Sequence, residues 1–155
     1  MFIRLGNLVL LISVVFFSSG CHSISIPHDA TLYNGHYYLF VSAELSWQDA
    51  FDKCESMGGT LAAIKSQGDN EFMVKLIDGK CVWLGATDVV TEGTWLWPDG
   101  TKAIYTNWQS HEPDNWYDGT EHALVFGWPG YPIGKWGDTR SFYQKQINGF
   151  VCQWD

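Results

Sequence analysis

The sequence contains little positive charge. Nine Lys and Arg residues stand against 17 Asp and Glu, which gives a formal net charge of −8 at pH 7. Because a surface that neutralises phosphates needs clustered cations, this composition disfavours nucleic-acid binding. Only 17% of the residues are charged, whereas 16% are aromatic and nine of these are Trp. A chain of 155 residues with this composition predicts one folded domain with a hydrophobic core, not a disordered protein.

The sequence also lacks an apolar run long enough to cross a membrane. The apolar stretch at residues 8–17 falls short of the roughly 20 residues that a transmembrane helix needs, and no other stretch approaches that length. Arg4 precedes this stretch and the small residues 18–20 follow it, an order typical of a secretory signal. We therefore expect residues 1–20 to be a signal peptide and the mature protein to have no transmembrane helix.

Cys21 follows this segment directly. An apolar run that ends in Ser-Ser-Gly-Cys resembles the lipobox of bacterial lipoproteins, in which the new N-terminal cysteine is acylated, although Ser18 stands where Leu is usual. Two alternatives stay open, a lipid anchor at Cys21 and an ordinary secreted protein. In both cases we expect an extracytoplasmic protein with a short tether at residues 21–31 and a domain at residues 32–155.

Cysteine is scarce, with four residues in the chain, Cys21, Cys54, Cys81 and Cys152. Disulfides persist in an oxidising compartment, and four cysteines permit three pairings, among which the sequence alone does not choose. No His and Cys set has the spacing of a zinc site, and there is no glycine-rich phosphate loop or recognisable nucleophile–base pair. These absences favour a protein that is not an enzyme.

Two helices and several short strands are predicted. Ser46 with Asp49, and Ser66 with Asp69, each match the Ser-x-x-Asp pattern that begins a helix. Glycines end both segments, and the second helix is expected to bury Phe72, Met73, Leu76 and Ile77. Short strands are expected at residues 33–41, 61–64 and 82–85, and aromatic runs broken by turns follow to the end of the chain. The order of elements predicts an α+β fold.

Acidic residues are concentrated in one loop. Residues 112–121 contain four carboxylates, at Glu112, Asp114, Asp118 and Glu121, and Asp138 follows in the segment Trp-Gly-Asp. Calcium prefers six to eight oxygen ligands and tolerates irregular loops, whereas magnesium requires stricter octahedral geometry. This loop is therefore a candidate calcium site, and the alternative is a solvated acidic turn.

The pattern as a whole resembles the C-type lectin-like domain family over residues 32–155, in the style of a bacterial secreted protein or lipoprotein. The motifs that carry the resemblance are Ser46-Trp47-Gln48-Asp49-Ala50 with Cys54, Gly58-Gly59-Thr60-Leu61-Ala62, Trp83-Leu84-Gly85, Glu92-Gly93-Thr94-Trp95-Leu96-Trp97-Pro98, Glu112-Pro113-Asp114, Lys135-Trp136-Gly137-Asp138 and Gly149-Phe150-Val151-Cys152. The resemblance implies two helices packed on small antiparallel sheets, with a long loop region that carries the ligand site. It also implies a disulfide between Cys54 and Cys152, which leaves Cys81 as a free and buried thiol.

Carried over position by position, the resemblance implies that Glu112, Asp114, Glu121 and Asp138 bind Ca²⁺ and, through it, the hydroxyls of a carbohydrate. Two positions depart from the family pattern. Asp114 stands where Asn is commonest, and Gly137 stands where a further Asn ligand is expected. The implied function is a calcium-dependent carbohydrate-binding module, and the alternative is a metal-independent interaction domain for a protein or other surface ligand.

Further residues have two interpretations each. Trp116 either packs against a sugar ring, as a ligand-binding residue, or anchors the loop on the domain. Trp128 and Tyr131 either border the ligand site or form a hairpin tip. Asp88, Glu92 and Asn115 are candidate ligands of an auxiliary metal site, with turn capping by the two acids as the alternative. Six other tryptophans match core positions of the fold, namely Trp47, Trp83, Trp95, Trp97, Trp108 and Trp136.

Overall fold

The computed structural model describes residues 25–116, 118–142 and 144–155, so that Cys21 and the expected signal segment lie outside the described residues. Within the described residues the elements are β1 (Thr31–Tyr33), β2 (His36–Val41), α1 (Trp47–Ser56), β3 (Thr60–Leu61), α2 (Gln67–Ile77), β4 (Val82–Thr87), β5 (Ala123–Phe126), β6 (Trp136–Thr139) and β7 (Gly149–Trp154). No helix in the described part of the chain is long and apolar enough to cross a bilayer.

The strands form one mixed sheet of seven strands, in the order β1-β2-β7-β4-β5-β6, with β3 also paired to β7. The α+β fold with two helices is confirmed. The expected small antiparallel sheets are joined into one by a parallel pairing of β4 with β7, in which Val82 faces Gly149 and Trp83 faces Phe150. A parallel pair needs a long connection, and here that connection contains β5, β6 and the acidic loop.

Both helices begin where the sequence predicts. The Ser46 hydroxyl accepts a hydrogen bond from the backbone N–H of Asp49, and Ser66 accepts one from Asp69, each at 3.1 Å. These side chains satisfy N–H groups that the first turn of a helix leaves without a helical partner. Helix α2 ends at Ile77 and is capped by Asp78, which has φ +48° and is followed by Gly79 at φ +74°.

Three details differ from the predictions. In α2, Met73 and Ile77 are buried, but Phe72 and Leu76 are only half-buried, and Phe72 stacks on Tyr33 of β1 at 4.2 Å between ring centroids. The predicted strand at residues 61–64 is shorter, because only Thr60–Leu61 pair with β7 and Ala63 instead donates its N–H to the side chain of Gln153. Among the predicted core tryptophans, Trp108 is half-buried and packs against Trp95 and Trp136.

The core has two clusters, and a disulfide joins the elements of one of them. Cys54 of α1 and Cys152 of β7 are bonded, as predicted, across a sequence separation of 98. Cys81 lies in the same cluster as a free and buried thiol. Burial raises the pKa of the Cys81 thiol to about 12, so this cysteine behaves as a small apolar side chain and not as a nucleophile.

A buried amide fixes the segment that leads into β6. The side-chain N–H of Asn70 in α2 donates to the backbone oxygen of Gly134 at 3.1 Å, and the Asn70 oxygen accepts from the indole N–H of Trp136 at 2.7 Å. Asn107 also donates to Gly134, at 2.8 Å. These bonds hold the start of β6 and the segment at residues 127–135 against α2, and β6 carries the acidic residue at the centre of the candidate site.

Candidate functional site

Asp138 is the acidic residue around which the loop at residues 112–121 is arranged. It lies on β6, where it pairs with Leu124 of β5, and it is 7% exposed. One carboxylate oxygen of Asp138 accepts from the N–H of Asp114, and the other accepts from the N–H of Asn115, both at 3.0 Å. The sheet therefore holds the middle of the acidic loop through a single carboxylate. The Glu112–Pro113 peptide bond, which precedes this contact, is cis.

Glu121 closes the same loop from its other end. It is 4% exposed, and its carboxylate accepts from the N–H of Trp116 at 2.8 Å. Its own N–H donates to the side-chain oxygen of Asn115 at 3.0 Å. Asp114 also accepts from the N–H of Trp116, at 3.1 Å. Hydrogen bonds from backbone N–H groups thus partly compensate the negative charge of the loop carboxylates.

The carboxylates of Glu112, Asp114 and Asp138 converge. One oxygen of each lies within 4.8 Å of the others. Oxygens on opposite sides of a calcium ion, each bound at 2.3–2.6 Å, are separated by about 4.6–5.2 Å, so this spacing fits one ion. Glu121 is not one of these three, but its carboxylate and that of Asp114 accept hydrogen bonds from the same Trp116 N–H. The donor set consists of oxygen atoms alone, which suits a hard cation.

The pKa values reflect this crowding of acids. Burial, and then the contact with Asp138, raise the pKa of Glu112 to about 7, while the Tyr131 hydroxyl opposes the increase. Burial also raises the pKa of Glu121, and the charges of Asp138 and Asp114 add to the effect, whereas the bond from the Trp116 N–H opposes it. Like charges in a partly buried site favour the protonated form unless a cation compensates them.

Tyr131 is one of the residues for which the sequence left two interpretations open. Its hydroxyl donates a hydrogen bond to Glu112, and its ring packs against Gly137. Burial and the neighbouring Glu112 raise the pKa of the Tyr131 phenol above its ordinary value, so the group stays a donor. Tyr131 therefore borders the site from the segment at residues 127–135. The signal available in the sequence was Gly137, a glycine inside a strand, which often marks the close approach of another group.

The aromatic residue of the loop is at the surface. Trp116 is 76% exposed, so its indole is not tucked against the domain. Its backbone N–H, by contrast, is held by Asp114 and Glu121. The loop thus presents a fixed backbone and an accessible aromatic face next to the carboxylates.

The second group of acids has a different composition from the one expected. Asp88, 2% exposed, and Glu92 approach His122, with Nδ1 of the imidazole 2.9 Å from Asp88 and 3.7 Å from Glu92. Asp88 also caps the turn at Gly93, because its carboxylate accepts a hydrogen bond from the Gly93 N–H at 2.8 Å. Asn115 instead directs its side-chain oxygen to Glu121. Both carboxylate oxygens of Asp88 thus have partners, one in the Gly93 N–H and the other in the His122 imidazole. The auxiliary metal site at Asp88, Glu92 and Asn115 stays a prediction.

Comparison with known proteins places the chain in a family. The family model described as Lectin C-type domain matches residues 43–154. The chain therefore belongs to the C-type lectin domain family.

Three similar proteins illustrate the range of this family. The low affinity immunoglobulin epsilon Fc receptor of Mus musculus is 30% identical over 116 residues, which cover 75% of this chain and 33% of the receptor. The cow C-type carbohydrate-recognition domain of CD23, crystallised in the presence of a GlcNAc2Man3 oligosaccharide, has a TM-score of 0.74 and 27% identity, covering 84% of this chain and 95% of that chain. A Ca²⁺-dependent type II antifreeze protein in its Ca²⁺-free form has a TM-score of 0.73 and 29% identity, covering 84% of this chain and all of that chain. The chain spans about a third of the length of the mouse receptor.

Proposed function

We propose that the protein is a calcium-dependent carbohydrate-binding module that is not an enzyme. The observation that carries the proposal is the convergence of Glu112, Asp114 and Asp138, each with an oxygen within 4.8 Å of the others, with Glu121 linked to Asp114 through the Trp116 N–H. Carbohydrate binding is typical of C-type lectin domains, and the cow relative was crystallised with an oligosaccharide. These four residues would hold the ion.

The ion, when bound, supplies positive charge that attracts the oxygen atoms of adjacent sugar hydroxyls. The protein's own residues supply the rest of the recognition. Ionised carboxylates only accept hydrogen bonds, so Glu112 and Asp114 would accept hydrogen bonds that the sugar hydroxyls donate. The exposed indole of Trp116 offers an apolar face next to them, on which the C–H side of a sugar ring can pack.

We also propose that the protein acts outside the cytoplasm, either secreted or held at a membrane surface by a lipid on Cys21. The support is the signal-like order of residues 1–20 and the Cys54–Cys152 disulfide, which persists in an oxidising compartment.

The test is retention on immobilised mannose and galactose in calcium, followed by elution with EDTA. Glu112→Ala removes two oxygens from the site, and we expect it to abolish retention. The matched control is Glu55→Ala, which removes an equal charge from an exposed position of α1. Both variants are first compared with the wild-type protein by circular dichroism, so that a folding defect is recognised.

Two results would contradict the proposal. Retention that survives both EDTA and Glu112→Ala would favour the metal-independent interaction domain. Calorimetry of the wild-type protein that detects no calcium binding would remove the metal from the mechanism altogether.

A further inference from the structure

Gly137 of β6 lies where a side chain would have no room. Its φ lies outside the left-handed region, so the backbone conformation there is open to other residues. A Cβ atom at this position would lie 3.0 Å from a ring carbon of Tyr131, 3.3 Å from the Tyr131 hydroxyl oxygen and 3.5 Å from the carboxylate carbon of Glu112. The volume that a side chain would occupy is therefore filled by the tyrosine ring and bordered by an acid of the calcium site.

Tyr131 contacts Glu112 through its hydroxyl as well. The phenol donates to Oε1 of Glu112, while Oε2 of the same carboxylate faces the backbone N–H of Asp138 at 3.4 Å. The two contacts come from different segments and act on different oxygens. Together the two contacts hold the Glu112 carboxylate in one orientation. Without them, the long glutamate side chain would adopt several conformations.

The segment that carries Tyr131 is itself anchored. Tyr131 donates its N–H to the backbone oxygen of Trp128 at 3.0 Å, and Gly127 donates to Lys135 at 3.2 Å. At the far end of the segment, the oxygen of Gly134 accepts from Asn70 and Asn107. The tyrosine is thus presented from a segment fixed on α2.

We propose that Tyr131 is a positioning residue of the calcium site, which holds the Glu112 carboxylate facing Asp114 and Asp138 and for which Gly137 makes room. This inference rests on the proposed calcium-dependent function. Groups that orient metal ligands by hydrogen bonding change metal affinity by about 10–100-fold when they are removed. The Tyr131 hydroxyl acts in this way, and the ring keeps it in place by packing on the strand.

The experiment is calorimetric titration of calcium into the full chain and its variants. Tyr131→Phe keeps the ring and removes the hydroxyl, and we expect the Kd for calcium to rise about tenfold or more. Gly137→Ala displaces the ring, and we expect a similar rise. The matched control is Tyr37→Phe in β2, a half-buried tyrosine that packs in the core cluster around the disulfide, and it should leave the Kd unchanged.

Two further measurements separate positioning from general stability. The melting temperature of Tyr131→Phe in EDTA should fall only by the small amount that the loss of one hydrogen bond causes, so that the protein stays folded while its calcium affinity changes. In a Tyr131→Ala background the added methyl group has no ring to displace, so Gly137→Ala should weaken calcium binding by no more than about twofold beyond Tyr131→Ala alone.

The outcomes distinguish this inference from the function on which it rests. If the wild-type protein binds calcium and Tyr131→Phe binds it equally well, Tyr131 is not a positioning residue, and the proposed function stands. If the wild-type protein binds no calcium, both proposals fail together. If Gly137→Ala does not fold, Tyr131→Phe alone decides, because that variant retains the packing of the ring.

Discussion

Because carboxylates are crowded in the site, we predict that removing one negative charge raises the stability of the calcium-free protein and lowers its affinity for calcium. Glu112→Gln preserves the shape of the side chain and an oxygen that can accept from Tyr131, but it removes one negative charge. In EDTA at alkaline pH we expect this variant to be more stable than the wild-type protein, because the ionised Glu112 lies beside Asp138 in a partly buried site. In calcium the advantage should shrink or reverse, because the amide is a weaker ligand than the carboxylate.

The size of the effect follows from the pKa of Glu112, which is raised from an ordinary 4.5 to about 7. A shift of this size means that ionising Glu112 in the folded protein lowers the free energy of unfolding by about 3 kcal/mol. Glu112 is partly exposed, and screening by solvent reduces this effect to about 1–2 kcal/mol. For a domain of this size the gain amounts to a rise of about 3–8 °C in melting temperature.

The pH dependence provides the internal control. Because the folded pKa lies above the unfolded one, the folded state binds more protons between about pH 4.5 and 7, and the calcium-free wild-type protein loses stability as pH rises through that window. The difference between the variant and the wild-type protein should therefore be large at about pH 8 and nearly absent at about pH 5. The assay is thermal unfolding in EDTA at both pH values. A variant that is less stable than the wild-type protein at pH 8, or a difference that does not change with pH, would refute the reasoning.

Three other predictions concern the site and its support. Calcium affinity should be about tenfold weaker at pH 6 than at pH 8 by calorimetry, because a proton competes for Glu112; equal affinities would show that this carboxylate is not a ligand. Trp116→Ala should reduce retention on the sugar matrix and leave the melting temperature nearly unchanged, because the side chain is 76% exposed; unchanged retention would exclude ring stacking. Asn70→Ala should lower the free energy of unfolding in urea by about 2–3 kcal/mol, because it leaves the buried indole N–H of Trp136 without its acceptor and removes one of the two side-chain donors to the Gly134 oxygen; a loss below about 0.5 kcal/mol would mean that other groups or water replace the amide.

The elements that depend on interactions between residues close in sequence could be predicted from the sequence. The hydroxyls of Ser46 and Ser66 act within three residues of their own position, so the start of each helix could be predicted from the sequence. The acids of the loop were identified because Glu112, Asp114 and Glu121 are close in sequence, and Asp138 was added by the resemblance to a known family. The disulfide partner of Cys54 was likewise predicted through that resemblance and is confirmed.

Contacts between distant segments could not be predicted in the same way. The bond from Asn70 to Gly134 joins residues 64 positions apart, and the parallel pairing of β4 with β7 depends on where the long connection returns. The contact of Tyr131 with Glu112 depends on how the segment at residues 127–135 is anchored, and glycines and prolines in a sequence indicate a turn without indicating what its side chains contact. The auxiliary site with Asn115 stays a prediction, and the contact that the structure shows for the Asn115 oxygen, with the N–H of Glu121, could not be predicted from the sequence.

The Cys54–Cys152 bond has a consequence for proteolytic damage. The covalent ring that it closes contains α2, the four strands β3 to β6 and the whole of the acidic loop, whose residues 118–120 are exposed. A protease that cuts at these residues would produce two fragments that stay tethered, each contributing strands to the same sheet. The nick would be invisible on a gel without reductant and would appear as two bands with it. The protein can therefore be cleaved beside its candidate binding site and remain one molecule, with Glu112 and Asp138 on separate pieces of chain.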